Sequence, residues 1–161
     1  MSESTMIPAI VSVSAEELAA VLQKAGYRAT VVEHEQHPQV RSASQGIGFF
    51  LVLGNAAPGA PGRFLDFSFH CRVDLQGELS PAVVEQWNQN RRFARLYCRD
   101  RVLVLTMDTL VAGGVSENFL RGQIELWDHV LRDFVRHLQQ PAPAAAAARR
   151  SAAPAAPPGL Q

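Results

Sequence analysis

The chain has 161 residues, 47% of them hydrophobic, with lysine plus arginine balanced against aspartate plus glutamate at 15 each. That length and apolar content suit one domain with a core of its own. Zero net charge leaves no global field to attract polyanions, which disfavours a dedicated nucleic-acid binder, and no run approaches the ~20 apolar residues of a membrane-spanning helix.

The opening MSESTMIPAIVSVS lacks a basic n-region, and its apolar run is short and broken by Pro8. It reads as neither signal peptide nor anchor, so the expected location is the cytoplasm. Residues 1–13 read as a loose arm, with room for a short edge strand at 7–13. Ser14-Ala-Glu-Glu17 is a capping box. Leu18, Val21, Leu22 and Ala25 then follow at helical spacing, and Gly26 is placed to stop the helix.

From Tyr27 to Val32 the period changes to two, as a half-buried strand requires. The polar patch Glu33–His37 reads as a solvated turn; His34 and His37 would face opposite ways on one strand, and two ligands are too few for zinc. Gln39–Ser44 follows as a second strand. The run Gly46–Gly54, GIGFFLVLG, suits a central strand covered on both faces. Residues 55–62 form a loop with two Pro-Gly elements. Along Arg63–Val73, Leu65, Phe67, Phe69, Cys71 and Val73 face the core, while Phe64, Asp66, Ser68, His70 and Arg72 face water or a partner.

Ser80 and Pro81 open a second helix as N-cap and first residue, with Val83, Val84 and Trp87 inward. A hairpin follows in which pairing Cys98 with Leu103 aligns the apolar faces and leaves Asp100-Arg101 at the tip. This register sets Arg95 opposite Thr106 and Tyr97 opposite Val104, with Asp108 diagonal to Arg95 and in reach of an ion pair. After Gly113-Gly114, Ser116 caps a long helix with the stripe Leu120, Ile124, Trp127, Leu131, Phe134 and Leu138. His129 and His137 lie off that stripe and read as solvated. Residues 139–161, rich in alanine and proline, read as a disordered tail.

The order is α-β-β-β-β-α-β-β-α, an α+β fold with an antiparallel sheet of about five to six strands covered by helices. Residues 14–138 make the single domain. No catalytic, cofactor-binding or metal-ligating grouping stands out, so the chain reads as a non-enzyme without a cofactor. Cys71 and Cys98 lie in apolar runs without CxxC spacing and read as buried free thiols. Arg91, Arg92, Arg95, Arg99 and Arg101, interleaved with Phe93 and Tyr97, form a local basic cluster of the kind that can hold single strands; Phe93 can equally pack on Trp87. Structural duties fall to Trp87, Asn88, Phe93, Gly113 and Gly114, with Asn88 placed to bond a nearby backbone group at the helix-to-strand corner. The candidate contact surface is Arg92, Arg95, Tyr97 and Asp108.

Trp87-Asn88, Arg92-Phe93, Met107-Asp108 and Gly113-Gly114-Val115, taken together, resemble the YbjN family of bacterial proteins, described as sensory transduction regulators. The likeness runs from Ser14 to about Leu138. It implies a fold similar to type III secretion chaperones, often dimeric, and a regulatory, partner-binding role without enzymatic activity. On this resemblance the expected partners are a second copy of the chain and an unidentified protein, with no membrane. The alternatives are a secretion chaperone holding a client segment and a module for single-stranded nucleic acid.

Overall fold

The computed structural model describes residues 8–140. Residues 1–7 of the expected arm and 141–161 of the expected tail, including Arg149-Arg150, lie outside the described residues. Helix α1 (Ala15–Lys24) precedes four strands, β1 (Ala29–His34), β2 (His37–Ser44), β3 (Ile47–Leu53) and β4 (Asp66–Asp74). Helix α2 (Pro81–Asn90), strands β5 (Arg95–Arg99) and β6 (Val102–Leu110), and helix α3 (Glu117–Gln139) follow. The element order matches the expected α+β layout. All strands join one antiparallel sheet in the order β1-β2-β3-β4-β6-β5.

Helix starts follow their caps. Ser14 Oγ accepts from the Glu17 N–H while Glu17 returns a carboxylate to the Ser14 N–H, each at 3.2 Å. Ser80 and Ser116 cap α2 and α3 through the N–H groups of Ala82 and Phe119. Three hairpins turn on two-residue loops, Glu35-Gln36, Gln45-Gly46 and Asp100-Arg101, all with positive φ. That backbone matches the right-handed twist of paired strands. The first of these loops sets His34 opposite His37. The two histidines therefore share a face across a turn, where a single strand would have parted them.

The core lies on one side of the sheet. Val40, Phe49, Leu51, Phe67, Phe69, Cys71, Leu96, Leu103, Leu105 and Met107 are buried there against all three helices. Trp127 of α3 stacks on Phe69 at 5.2 Å and meets Phe49 edge-on at 6.0 Å. Thr109 reaches α3 through Gln123. The expectation that β3 is covered on both faces is corrected: Phe49 and Leu51 are buried, whereas Phe50 and Val52 are half-exposed. Among the described residues all three helices lie on one layer, and no helix covers the other.

Two further expectations change. His137 is buried at 6% exposure, with its Nε2 2.7 Å from the Val83 carbonyl, and Leu138 is exposed instead. His137 follows Phe134 by three residues and so lies on the buried stripe, where it joins α3 to α2 through a hydrogen bond. Of the two thiols, Cys71 is buried and Cys98 exposed. Burial pushes the Cys71 thiol up to about 11; Cys98, opposite Leu103, sits near the end of the edge strand β5.

The segment before α1 is tied to the body. Ile10 pairs with Val115 and Val13 with Phe64, and Arg63 donates to Ser12 and to both Glu17 carboxylate oxygens. Gly113 and Gly114 turn the chain toward that strap with φ of +89° and +101°. A side chain at Gly114 would also bring its Cβ within 3.0 Å of the Ala9 methyl. Among the described residues no helix is long and apolar enough to cross a membrane.

Candidate functional site

The face of the sheet turned away from the helices is built by strand alternation. Reading across it, Arg95 of β5 lies opposite Thr106, then His70, Phe50 and Arg41. A parallel row carries Tyr97, Val104 and Arg72. Among the described residues no helix packs over these rows, which form a mixed aromatic and arginine surface.

Its centre is partly dry. Val104 and Thr106 are 7% and 2% exposed although they face outward, because the longer side chains of β4 and β5 stand on either side of them. The His70 ring stacks on Phe50 at 5.3 Å and 13°, and its Nε2 lies 3.5 Å from Thr106 Oγ1. Next to them a trough of about 380 Å³ opens between Phe50, Tyr97, Val104, Arg72 and Arg99.

The face carries both signs, with Asp66, Asp74 and Asp108 on it beside Arg41, Arg72, Arg95 and Arg99. Among the described residues Arg41, Arg72 and Arg95 make no ion pair, and Arg99 has only the exposed Asp100 at 3.9 Å. Burial lowers the His70 pKa; Asp108 opposes the shift, and Arg95 and Arg72 add to it. A lowered histidine pKa means that the folded state holds its proton less tightly than the unfolded chain. His70 therefore contributes stability above its ordinary value near 6.5 and loses it as pH falls through the folded value. Its imidazole proton resonances are expected to titrate below pH 6.5, with unfolding midpoints falling over the same range; titration at or above that value would contradict the dry setting.

The four expected contact residues divide. Arg95, Tyr97 and Asp108 share the open face, but the expected Arg95–Asp108 ion pair is absent from the described residues. Strand β5 begins at Arg95, so Asp108 has no β5 residue opposite it; its partner is Ser68 on β4, whose hydroxyl donates to Oδ1 at 2.6 Å. Arg92 belongs instead to the corner between α2 and β5, with its guanidinium 4.9 Å from the Phe93 ring centre. Sequence reading missed Phe50 and Arg41 as members of the face, although it set Val104 opposite Tyr97 on it. The alternation of β3 carried the signal for Phe50, but its flanks gave no sign that the outer side was open.

That corner is organised by three hydrogen bonds. Trp87 Nε1 donates to the Ala94 carbonyl at 3.1 Å, and the Asn88 side-chain amide both donates to the Leu96 carbonyl and accepts from the Leu96 N–H, at 2.8 and 2.9 Å. Phe93 does not pack on Trp87. It is 61% exposed, with φ of +74°, and the Ala94 N–H bonds the Arg92 carbonyl at 2.9 Å across it. This is a γ-turn of the strained kind, and a bulky residue there costs about 1–3 kcal/mol. Phe93→Gly is expected to leave stability unchanged or raise it by about 1 kcal/mol in urea unfolding, after the extra chain entropy of glycine is offset. A loss above about 1 kcal/mol would show that the ring itself supports the fold.

A larger groove of about 590 Å³ runs between the N-terminal strap and α1, lined by Ile10, Val11, Val13, Leu18 and Val21. The cations at its rim are already engaged: Arg63 with Glu17 at 2.9 Å and Lys24 with Glu117 at 2.8 Å. Among the described residues no group of three or more His, Cys, Asp or Glu side chains converges to hold a metal ion.

The YbjN family model, whose description is "putative bacterial sensory transduction regulator", matches residues 14–140. No curated protein matches the chain.

Proposed function

The chain belongs to the YbjN family, and from that premise we propose that it is a non-enzymatic, cytoplasmic regulatory protein that acts through protein–protein contacts on the open face of its sheet. The observation that carries this reading is the uncovered layer itself, where Phe50, His70, Tyr97 and Val104 lie among four arginines that lack close carboxylate partners. Tyrosine, phenylalanine and arginine are the residue types enriched where proteins meet. A sheet layer with this composition stabilises a complex more than it stabilises the isolated chain.

Affinity capture from native lysate tests it. The wild-type chain is expected to enrich a protein partner, and an Arg95→Ala/Tyr97→Ala variant to lose it. Recovery of nuclease-sensitive nucleic acid with no protein would overturn the reading. A homodimer is part of the proposal, and light scattering of the purified protein is expected to give twice the chain mass. A chaperone holding a client segment would use the same face, and would differ in enriching an unfolded secreted chain.

A further inference from the structure

We propose that two copies of the chain join through strand β1, edge to edge and antiparallel, so that their six-stranded sheets become one with both open faces on the same side. This rests on the homodimer in the reading above and names its surface. The first argument is which backbone groups are free. Strand β1 ends the sheet. Its turn, with Glu35 and Gln36 at φ of +49° and +66°, makes His34 and His37 the bonded pair that closes the hairpin. Thr30, Val32 and His34 therefore turn their N–H and carbonyl groups to β2, while Ala29, Val31 and Glu33 turn theirs outward. The Ala29 carbonyl accepts from Gln23 Nε2 at 2.9 Å, as that alternation requires. Among the described residues nothing bonds the outward groups of Val31 and Glu33. The opposite edge differs, because at β5 the Asn88 amide takes both groups of Leu96. Strand β1 also contains neither the proline nor the lysine that guards a free edge.

The second argument is register. Outward residues of one strand must meet outward residues of the next. Setting Val31 of each copy opposite Glu33 of the other satisfies the free groups of both about a twofold axis. The axis then passes between the two Val32 side chains, and Thr30 meets His34 on the same face. No like charges stand directly opposite, and the two Glu33 carboxylates lie on a diagonal, in water. A twofold pairing of this kind closes at two copies. The third argument separates a second copy from a bare strand of another protein. Gln23 brings α1 up to this edge, and the helix lies over β1 and β2. The axis sets the two α1 helices about two strand spacings apart, or about 10 Å, an ordinary helix packing distance. A bare strand would cover the edge alone, whereas a second copy extends the sheet and the helix layer together.

Light scattering of the purified full chain tests the inference. Wild type is expected at twice the chain mass and Glu33→Pro at the chain mass, since proline removes an N–H that the fold does not use and obstructs the edge. Circular dichroism checks that the variant keeps its fold. Cross-linking gives a second readout without proline. In a Cys98→Ser background, Val32→Cys is expected to form a disulfide-linked dimer on mild oxidation, because the Cα atoms of such a non-bonded pair lie about 4.5 Å apart, within disulfide reach. Thr30→Cys, which meets His34 and not its own twin, is expected to stay unlinked. Should Glu33→Pro unfold, the two cysteine variants decide. The inference is overturned if folded Glu33→Pro stays at twice the chain mass, or if Val32→Cys links no faster than Thr30→Cys. Either result from a dimeric wild type removes the β1 surface and leaves the homodimer in place, whereas a wild type at the chain mass at high concentration removes both.

Discussion

Replacing Trp87 with alanine is expected to lower the unfolding free energy by about 3–5 kcal/mol, the usual range for a large aromatic removed from a packed core. Trp87 is 1% exposed. It meets Phe134 edge-on at 5.8 Å and His137 at 5.5 Å, so it joins α2 to α3, and Arg91 covers its ring at 5.7 Å. Its indole N–H also satisfies the Ala94 carbonyl. The alanine variant therefore opens a cavity and strands a buried acceptor together. Trp87→Phe keeps most of the ring contact and loses the donor, and is expected to cost about 1–3 kcal/mol. Urea unfolding of the three proteins measures the order, as a fall in midpoint at constant slope. Since domains of this size are stable by about 5–15 kcal/mol, the loss is a large share of the total and is expected to lower the melting temperature visibly. A loss under about 1 kcal/mol would show that α2 is held by other contacts.

Asn88→Ala is expected to cost about 1–3 kcal/mol, because one side chain serves both backbone groups of Leu96. Strand β5 lies at the end of the sheet. Leu96 stands opposite Leu105, yet its N–H and carbonyl bond Asn88. The Asn88 amide thus stands in for a neighbouring strand and closes an edge that would otherwise be open to pairing. Asn88 is exposed, so in the alanine variant water takes over part of the lost bonding, and the cost is about 0.5–1.5 kcal/mol for each hydrogen bond. Asn88→Asp retains the acceptor and sets a carboxylate against the Leu96 carbonyl, so it is not expected to rescue stability. Hydrogen exchange of the Leu96 amide gives the local readout: rapid exchange is expected in Asn88→Ala, and retained protection in Asn88→Asp, whose carboxylate still accepts from that N–H. Unchanged protection of that amide in Asn88→Ala would refute the strand-mimic role.

These two residues also show how far sequence reading reached. Its position on the apolar side of α2 places Trp87 in the core, and Asn88 falls to the corner because a short amide near a helix end seeks backbone. The identity of its partner, Leu96, was not legible, since it depends on how far β5 runs before passing the helix. Phe93 shows the opposite case. Its type argued for burial beside Trp87, and only the γ-turn, with φ of +74°, turns it to solvent. His137 failed for a related reason: it follows Phe134 by three residues on the buried stripe, where the Val83 carbonyl of α2 satisfies its ring.

What the sequence by itself determined is local and periodic. The caps at Ser14, Ser80 and Ser116, the period change after Gly26, the Cys98–Leu103 register and the α+β element order all follow from interactions within a few residues, where backbone hydrogen bonding and side-chain alternation leave few choices. What only the tertiary structure decided is which layer stays open and which strands are neighbours on it. Strand β4 pairs with β6, with β5 outside, although β5 comes first in the chain, and this order brings His70, Thr106 and Arg95 into one row. Long-range pairing of this kind is set by burying the apolar faces of all six strands under three helices at once, and no segment of the chain carries that information alone.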